Sequence, residues 1–208
     1  YALERKNWKE ASQLELTPAD FPWDEFLWEK AILIFGRIQG SVHLNKTSAA
    51  KSDLEQLKSI HELLKERNRT YEANQVHIQI KASEAWMSVL QKNKSEAFQL
   101  MTEAADMEDA TEKHPVTPGE VVPARELLGD LYMEAGEFAK ALAAYEENLR
   151  RHPQRFNGVY GAAVAANRSG DRAKALLHFK KLTELNAGAE RQRPGIAEAD
   201  LFLQSGGL

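Results

Sequence analysis

Two blocks in the C-terminal half of this 208-residue chain can be superimposed at an offset of 34 residues. The offset places similar residues together: Gly129 on Ala163, Gly136 on Gly170, Ala141 on Ala175 and Tyr145 on Phe179. Each block reads as a helix, a tight turn with glycine and a second helix. A fixed period of this length is typical of stacked helical hairpins, in which each hairpin buries its apolar face only against its neighbours. The chain is therefore predicted to be all-α, a superhelical solenoid of antiparallel helix hairpins.

The rest of the chain also has helical periodicity, and no segment alternates with the period of two that indicates a strand. Helices are predicted over residues 1–15, from Asp24 to about 43, from after Thr47 to about 68, over 70–91 and from Ser95 to about 111. Asp24, Ser95 and Asp171 are predicted to cap helices, and one buried stripe is expected to contain Leu54, Leu57, Leu63 and Leu64. Residues 112–123 hold three prolines and one glycine and are predicted to form the one long loop.

These features predict a single domain over residues 1–208. Residues 1–121 form longer, degenerate hairpins, residues 122–189 form two regular repeats, and residues 190–208 form a closing helix with a polar outer face. The chain opens within a hairpin, which predicts further repeats on its N-terminal side.

The two regular blocks resemble tetratricopeptide repeats. The positions of the first block that fit the pattern are Leu128, Gly129, Tyr132, Gly136, Ala141, Tyr145 and Pro153, and those of the second are Ala162, Ala163, Ala166, Gly170, Ala175 and Phe179. Close packing explains the pattern, because Gly or Ala lets two helices approach while an aromatic ring fills the space beside them. Asn148, where the pattern prefers Ala, is a departure. The chain also resembles the C-terminal part of uncharacterised bacterial tetratricopeptide proteins through residues 108–119.

The resemblance implies a concave groove lined by the first helix of each hairpin, and a function in binding other proteins. The positions that it assigns to this groove are Glu126, Asp130, Met133 and Glu134 on one helix, Asn157, Tyr160, Val164, Asn167 and Arg168 on the next, and Trp86 farther upstream. One wall is acidic and the other offers an amide, an aromatic ring and a cation. We therefore expect a peptide or helical partner with a basic segment and an apolar anchor, and we expect no cofactor and no catalysed reaction.

Composition narrows the function classes. The net charge of −4 does not favour nucleic acid as a partner, because such surfaces cluster Lys and Arg on one face. No apolar run has the 18 or so residues of a membrane span, so no membrane insertion is expected. The chain has no cysteine, which excludes disulfides, thiolate metal sites and cysteine nucleophiles. The absence of cysteine does not indicate the cellular compartment of the protein.

Two alternatives remain. The chain is the solenoid portion of a larger enzyme or sensor whose active part lies N-terminal to it, or it is a metal-assisted hydrolase using the loop around His114. The second rests on the closeness in sequence of Asp106, Glu108, Asp109, Glu112 and His114, since carboxylates and a histidine can bind metal or transfer protons. Their spacing matches no ligand motif, and an acidic helix end that leads into a loop explains them as well.

Overall fold

A computed structural model of the protein describes residues 1–112, 120–188, 193 and 195–206. Within these residues the chain forms ten helices and no β-strand, and 73% of it is helical. The helices are α1 (Trp8–Ala11), α2 (Leu27–His43), α3 (Thr47–Glu66), α4 (Thr70–Leu90), α5 (Lys94–Ala110), α6 (Ala124–Ala135), α7 (Phe138–Arg151), α8 (Phe156–Ser169), α9 (Arg172–Leu185) and α10 (Ile196–Gln204). The predicted all-α class is confirmed.

The chain divides into two compact units, Tyr1–Ala124 and Arg125–Leu208, called unit 1 and unit 2. In unit 1 each helix from α1 to α5 packs against the next, and α2 also packs against α4. In unit 2, α7 packs on α8, α8 on α9 and α9 on α10. A continuous apolar core in unit 2 joins α7, α8, α9 and α10, with Tyr132 and Met133 of α6 packed against it.

The same turn joins five pairs of consecutive helices. In each, one residue has a positive φ and the backbone N–H of the following residue donates to the carbonyl five residues earlier, which is the Schellman motif. The positive-φ residues are Asn45 (57°), Asn68 (56°), Lys92 (62°), Gly136 (79°) and Gly170 (85°). The matching 6→1 bonds, 2.8 to 2.9 Å long, run from Lys46 to Ser41, Arg69 to Leu64, Asn93 to Ser88, Glu137 to Tyr132 and Asp171 to Ala166. The predicted glycine turns are therefore confirmed, and unit 1 makes the same turn without glycine.

Helix starts agree with the prediction in one case and differ in two. Asp171 caps α9, because its carboxylate accepts from the Lys174 N–H at 3.0 Å. The cap of α5 is Asn93 and not Ser95, since Asn93 accepts from the Glu96 N–H and donates back to the Glu96 carboxylate at 2.8 Å. Asp24 caps nothing. Helix α2 begins only at Leu27, and Asp24 pairs with Lys30 at 2.7 Å.

Two further expectations for unit 1 are corrected. The helical pattern over residues 1–15 gives only the four-residue α1, which is followed by bends and turns up to α2. On α3 the buried stripe contains Ile60 and Leu64, while Leu63 is 39% exposed. Successive residues of a helix are rotated by roughly 100°, so Leu63 and Leu64 cannot both face the core.

Candidate functional site

The predicted groove residues of unit 2 lie on α6 and α8, and Tyr145 of α7 fixes how these two helices approach. Its ring is 2% exposed. A Cβ atom added to Gly129 on α6 or to Gly161 on α8 would come closer than 3.0 Å to that ring. Glycine is therefore required on both helices where they meet the aromatic side chain; Gly129 is a position of the predicted repeat pattern and Gly161 is not.

The Tyr145 hydroxyl also holds one predicted groove residue. It donates to Asp130 Oδ1 at 2.6 Å. Burial, together with the nearby Asp130 carboxylate, raises the pKa of Tyr145 well above its ordinary value, so the phenol remains the hydrogen-bond donor. One Asp130 oxygen is thus engaged inside unit 2.

Glu126 is a correction to the predicted groove. Its side chain is buried, and both of its oxygens accept from Arg155, from Nε at 2.6 Å and from Nη2 at 3.0 Å. The Asn148 Nδ2 atom lies 3.5 Å from the same carboxylate, which gives the departure from the repeat pattern at Asn148 a structural role. A buried carboxylate needs such a bidentate partner, and Glu126 is therefore not available to another chain.

Two further predicted residues contact the C-terminal segment. Asn157 Oδ1 accepts from Arg193 Nη2 at 3.3 Å, and the Tyr160 hydroxyl donates to Glu198 Oε2 at 2.6 Å. Gly195 lies directly against the Tyr160 ring. Partial burial and the hydrogen bond to Glu198 raise the pKa of Tyr160 to about 12. Tyr160 thus helps to hold the segment that leads into α10.

Four predicted residues lie at the ends of α6 and α8. Glu134, Asn167 and Arg168 are exposed, and Met133 is half-buried against the core. The Arg168 guanidinium lies 5.5 Å from the centre of the Phe138 ring, within range of a cation–π interaction. The 34-residue offset relates Met133 to Asn167 and Glu134 to Arg168. We call these four residues the α6/α8 end face; it carries opposite charges at equivalent positions of the two repeats.

The remaining predicted groove residues are buried. Val164 is part of the core of unit 2. Trp86 of α4 is 3% exposed, so the prediction that it offers an accessible anchor is corrected. Its indole lies 4.5 Å from the ring of His43, which in turn stacks on Trp8 at 4.0 Å. Helical spacing places Trp86 on one face of α4 but does not show that His43 covers it.

The structure describes only part of the loop around His114, on which the metal-assisted hydrolase alternative rests. His114 lies outside the described residues. Of the acidic side chains before it, Glu108 accepts a hydrogen bond from the Ala124 N–H at 2.9 Å, at the first residue of α6. This contact gives Glu108 a structural role at a helix start. Among the residues that are described, no group of three or more His, Cys, Asp or Glu side chains is arranged to hold a metal ion.

Sequence reasoning missed several residues that define this site. Arg155, Arg193, Glu198 and Phe138 each contact a predicted groove position. All four lie outside the matched repeat positions, so the offset gave no signal for them.

Comparisons with known proteins add no assignment: no protein-family model, curated protein or solved structure matches the chain. In the part of the chain that the structure describes, no helix is long and apolar enough to cross a membrane.

Proposed function

We propose that this protein is a tetratricopeptide-type interaction scaffold that binds a peptide or helical segment of another protein. The observation that carries the proposal is the contact of Tyr145 with glycines on both α6 and α8. It supports regular stacking of the two repeats that the 34-residue offset relates. Stacked hairpins expose an extended surface made of equivalent positions, and such surfaces are suited to binding other chains.

The α6/α8 end face is the part of the predicted groove best placed to meet a partner. It combines an exposed carboxylate, an exposed amide and an exposed guanidinium with the half-buried Met133. Exposed charges of both signs favour a partner that carries opposite charges in register with them, and they affect orientation and association rate more than affinity.

The proposed partner differs from the one that the sequence alone suggests. Glu126 is neutralised by Arg155, and Asp130 accepts a hydrogen bond from Tyr145. Much of the acidic wall is therefore used inside unit 2. We propose a segment with a basic residue toward Glu134, an acidic residue toward Arg168 and an apolar residue toward Met133.

The test compares capture of binding proteins from source lysate by three forms of the chain. The first is the wild type, and the second is the double charge reversal Glu134→Lys with Arg168→Glu. The third is a matched double reversal, Glu147→Lys with Lys180→Glu, at exposed positions of α7 and α9. We expect a protein that is captured by the wild type and by the matched variant, and whose affinity falls at least about tenfold, or ~1.4 kcal/mol, in the α6/α8 variant. Equal capture by all three forms would overturn the proposed binding face.

The captured protein should then be mapped by placing a photo-crosslinking amino acid at Asn167, which is exposed. A crosslink from Asn167 to one short segment of the partner, absent when the crosslinker is at Lys180, supports peptide recognition. Crosslinks spread over a folded surface of the partner would contradict it.

A further inference from the structure

Two histidine rings meet between α3 and α4, away from the proposed binding face. The ring centres of His61 and His77 are 5.2 Å apart, with the ring planes inclined by 42°. The His61 side chain is 17% exposed and His77 is half-buried. The pair is therefore held between two packed helices while still in reach of solvent.

Glu62 fixes the state of the His61 ring. His61 Nδ1 lies 3.0 Å from Glu62 Oε1. A carboxylate accepts hydrogen bonds, and Glu62 also accepts from Lys65 Nζ at 2.9 Å. The proton of a neutral His61 ring then lies on Nδ1, and Nε2 keeps its lone pair. Metal-binding histidines have this arrangement, with a carboxylate behind the ring.

The His77 ring is not committed to another protein group. Within the described part of the chain its ring makes no hydrogen bond. Its ring nitrogens are therefore not engaged by a protein hydrogen bond, and imidazole binds metal through the lone pair of such a nitrogen.

The separation of the rings suits one shared cation. Two imidazole nitrogens bound to a tetrahedral zinc ion at about 2.0–2.1 Å place the ring centres roughly 5 Å apart. We propose that His61 and His77 form a two-imidazole site for a divalent late first-row metal ion, with Zn²⁺ as the reference cation. The described residues contain no cluster of three or more ligands, so water completes the coordination shell, and the bound ion links α3 to α4.

The charged groups around the rings on α3, α4 and α5 are of both signs. Each lysine is matched with a carboxylate: Lys65 with Glu62 at 2.9 Å, Lys58 with Glu84 at 2.9 Å, and Lys81 with Glu103 at 2.6 Å. The surroundings are therefore close to neutral overall. Imidazole ligands favour Zn²⁺, Cu²⁺ and Ni²⁺ over the oxygen-seeking Mg²⁺ and Ca²⁺.

The test is a calorimetric titration of ZnCl₂ into the full chain without a histidine tag. The wild type and His152→Ala, which alters a histidine of unit 2, should bind one Zn²⁺ per chain with the same affinity. His61→Ala and His77→Ala should each weaken binding at least tenfold, and MgCl₂ should give no binding heat. Absence of zinc binding by the wild type, or an affinity of His61→Ala or His77→Ala equal to that of the wild type, would overturn the proposal.

A second measurement guards against loss of fold in the variants. Circular dichroism should show the same helicity in all four proteins, and His61→Gln replaces His61→Ala if the alanine variant is less helical. Zinc should raise the midpoint of thermal unfolding of the wild type, and this rise should shrink as the pH falls, because protons compete with the metal for the imidazoles. A rise that is independent of pH would contradict an imidazole site.

Discussion

At the scale of single residues, Tyr145 has the most consequence for unit 2. It is buried, it separates Gly129 from Gly161, and its hydroxyl reaches Asp130. A core packed at this density tolerates added volume poorly. The two glycines are therefore fixed by the ring and not by backbone conformation, since neither has a positive φ.

Gly161→Ala should lower the free energy of unfolding by about 1–3 kcal/mol, the usual effect of forcing a methyl group into a full core. The physical reason is specific, because the new methyl would overlap the Tyr145 ring. In a Tyr145→Leu background the same change should be close to neutral, since the ring is gone. Chemical denaturation of the four proteins of this double-mutant cycle measures the coupling. Additive effects would show that the ring does not set the spacing.

At the scale of helices and turns, the Schellman turn is the repeated unit of the chain. It occurs between α2 and α3, α3 and α4, α4 and α5, α6 and α7, and α8 and α9. Gly136 and Gly170 adopt the required left-handed conformation without strain, and Asn does so more easily than most residues. Lys92 has no such advantage, and its φ of 62° is the one strained turn position in this set.

Lys92→Gly should therefore raise the free energy of unfolding by roughly 0.5–1 kcal/mol. Relief of the left-handed strain exceeds the added entropy of glycine in the unfolded chain. Lys92→Ala is the matched control, because it removes the same exposed side chain but keeps the Cβ atom. A gain in both variants would assign the effect to the lysine charge and not to backbone conformation.

The sequence predicted unit 2 better than unit 1 for reasons that lie in these turns. Gly136, Gly170 and Asp171 show the turns of unit 2 directly, because glycine and a capping aspartate are typical of them. In unit 1 the same conformation is adopted by Asn45, Asn68 and Lys92, so the repeat of the turn is hidden from a comparison of residue types. The predicted helices end at about 43 and begin after Thr47, which implies a connection there but not its identity with the other turns.

The candidate site was predictable only where exposure follows from helical position. Glu134, Asn167 and Arg168 lie exposed, as residues that line a binding groove should. Glu126 and Trp86 are buried because of partners distant in sequence, Arg155 and His43. Periodicity gives the face of one helix but does not reveal which distant side chain covers it.

At the scale of the whole molecule, unfolding of the two compact units should be distinguishable by two spectroscopic probes. The chain has four tryptophans, and all of them, Trp8, Trp23, Trp28 and Trp86, belong to unit 1. Tryptophan fluorescence therefore follows unit 1 alone, while circular dichroism follows the helices of both units. Because each unit is compact by itself, we expect each to unfold as its own cooperative step.

Gly161→Ala, which alters unit 2, should shift part of the circular dichroism transition to lower denaturant and leave the fluorescence transition in place. Lys92→Gly, which alters unit 1, should move the fluorescence transition to higher denaturant. These shifts are measured by recording denaturation curves of each variant with both fluorescence and circular dichroism. Identical shifts of both probes for both variants would show one cooperative transition for the whole chain.

The repeated turn also bears on how such a chain can change in length. Its requirements are met within the last turn of one helix and the first residue of the next, through one left-handed residue and two local hydrogen bonds. The same Schellman turn connects α3 to α4, which have 20 and 21 residues, and α8 to α9, which have 14 residues each. Whole helical turns can therefore be inserted into or deleted from the helices without a change in the turns that join them, so helices of different length share one kind of connection.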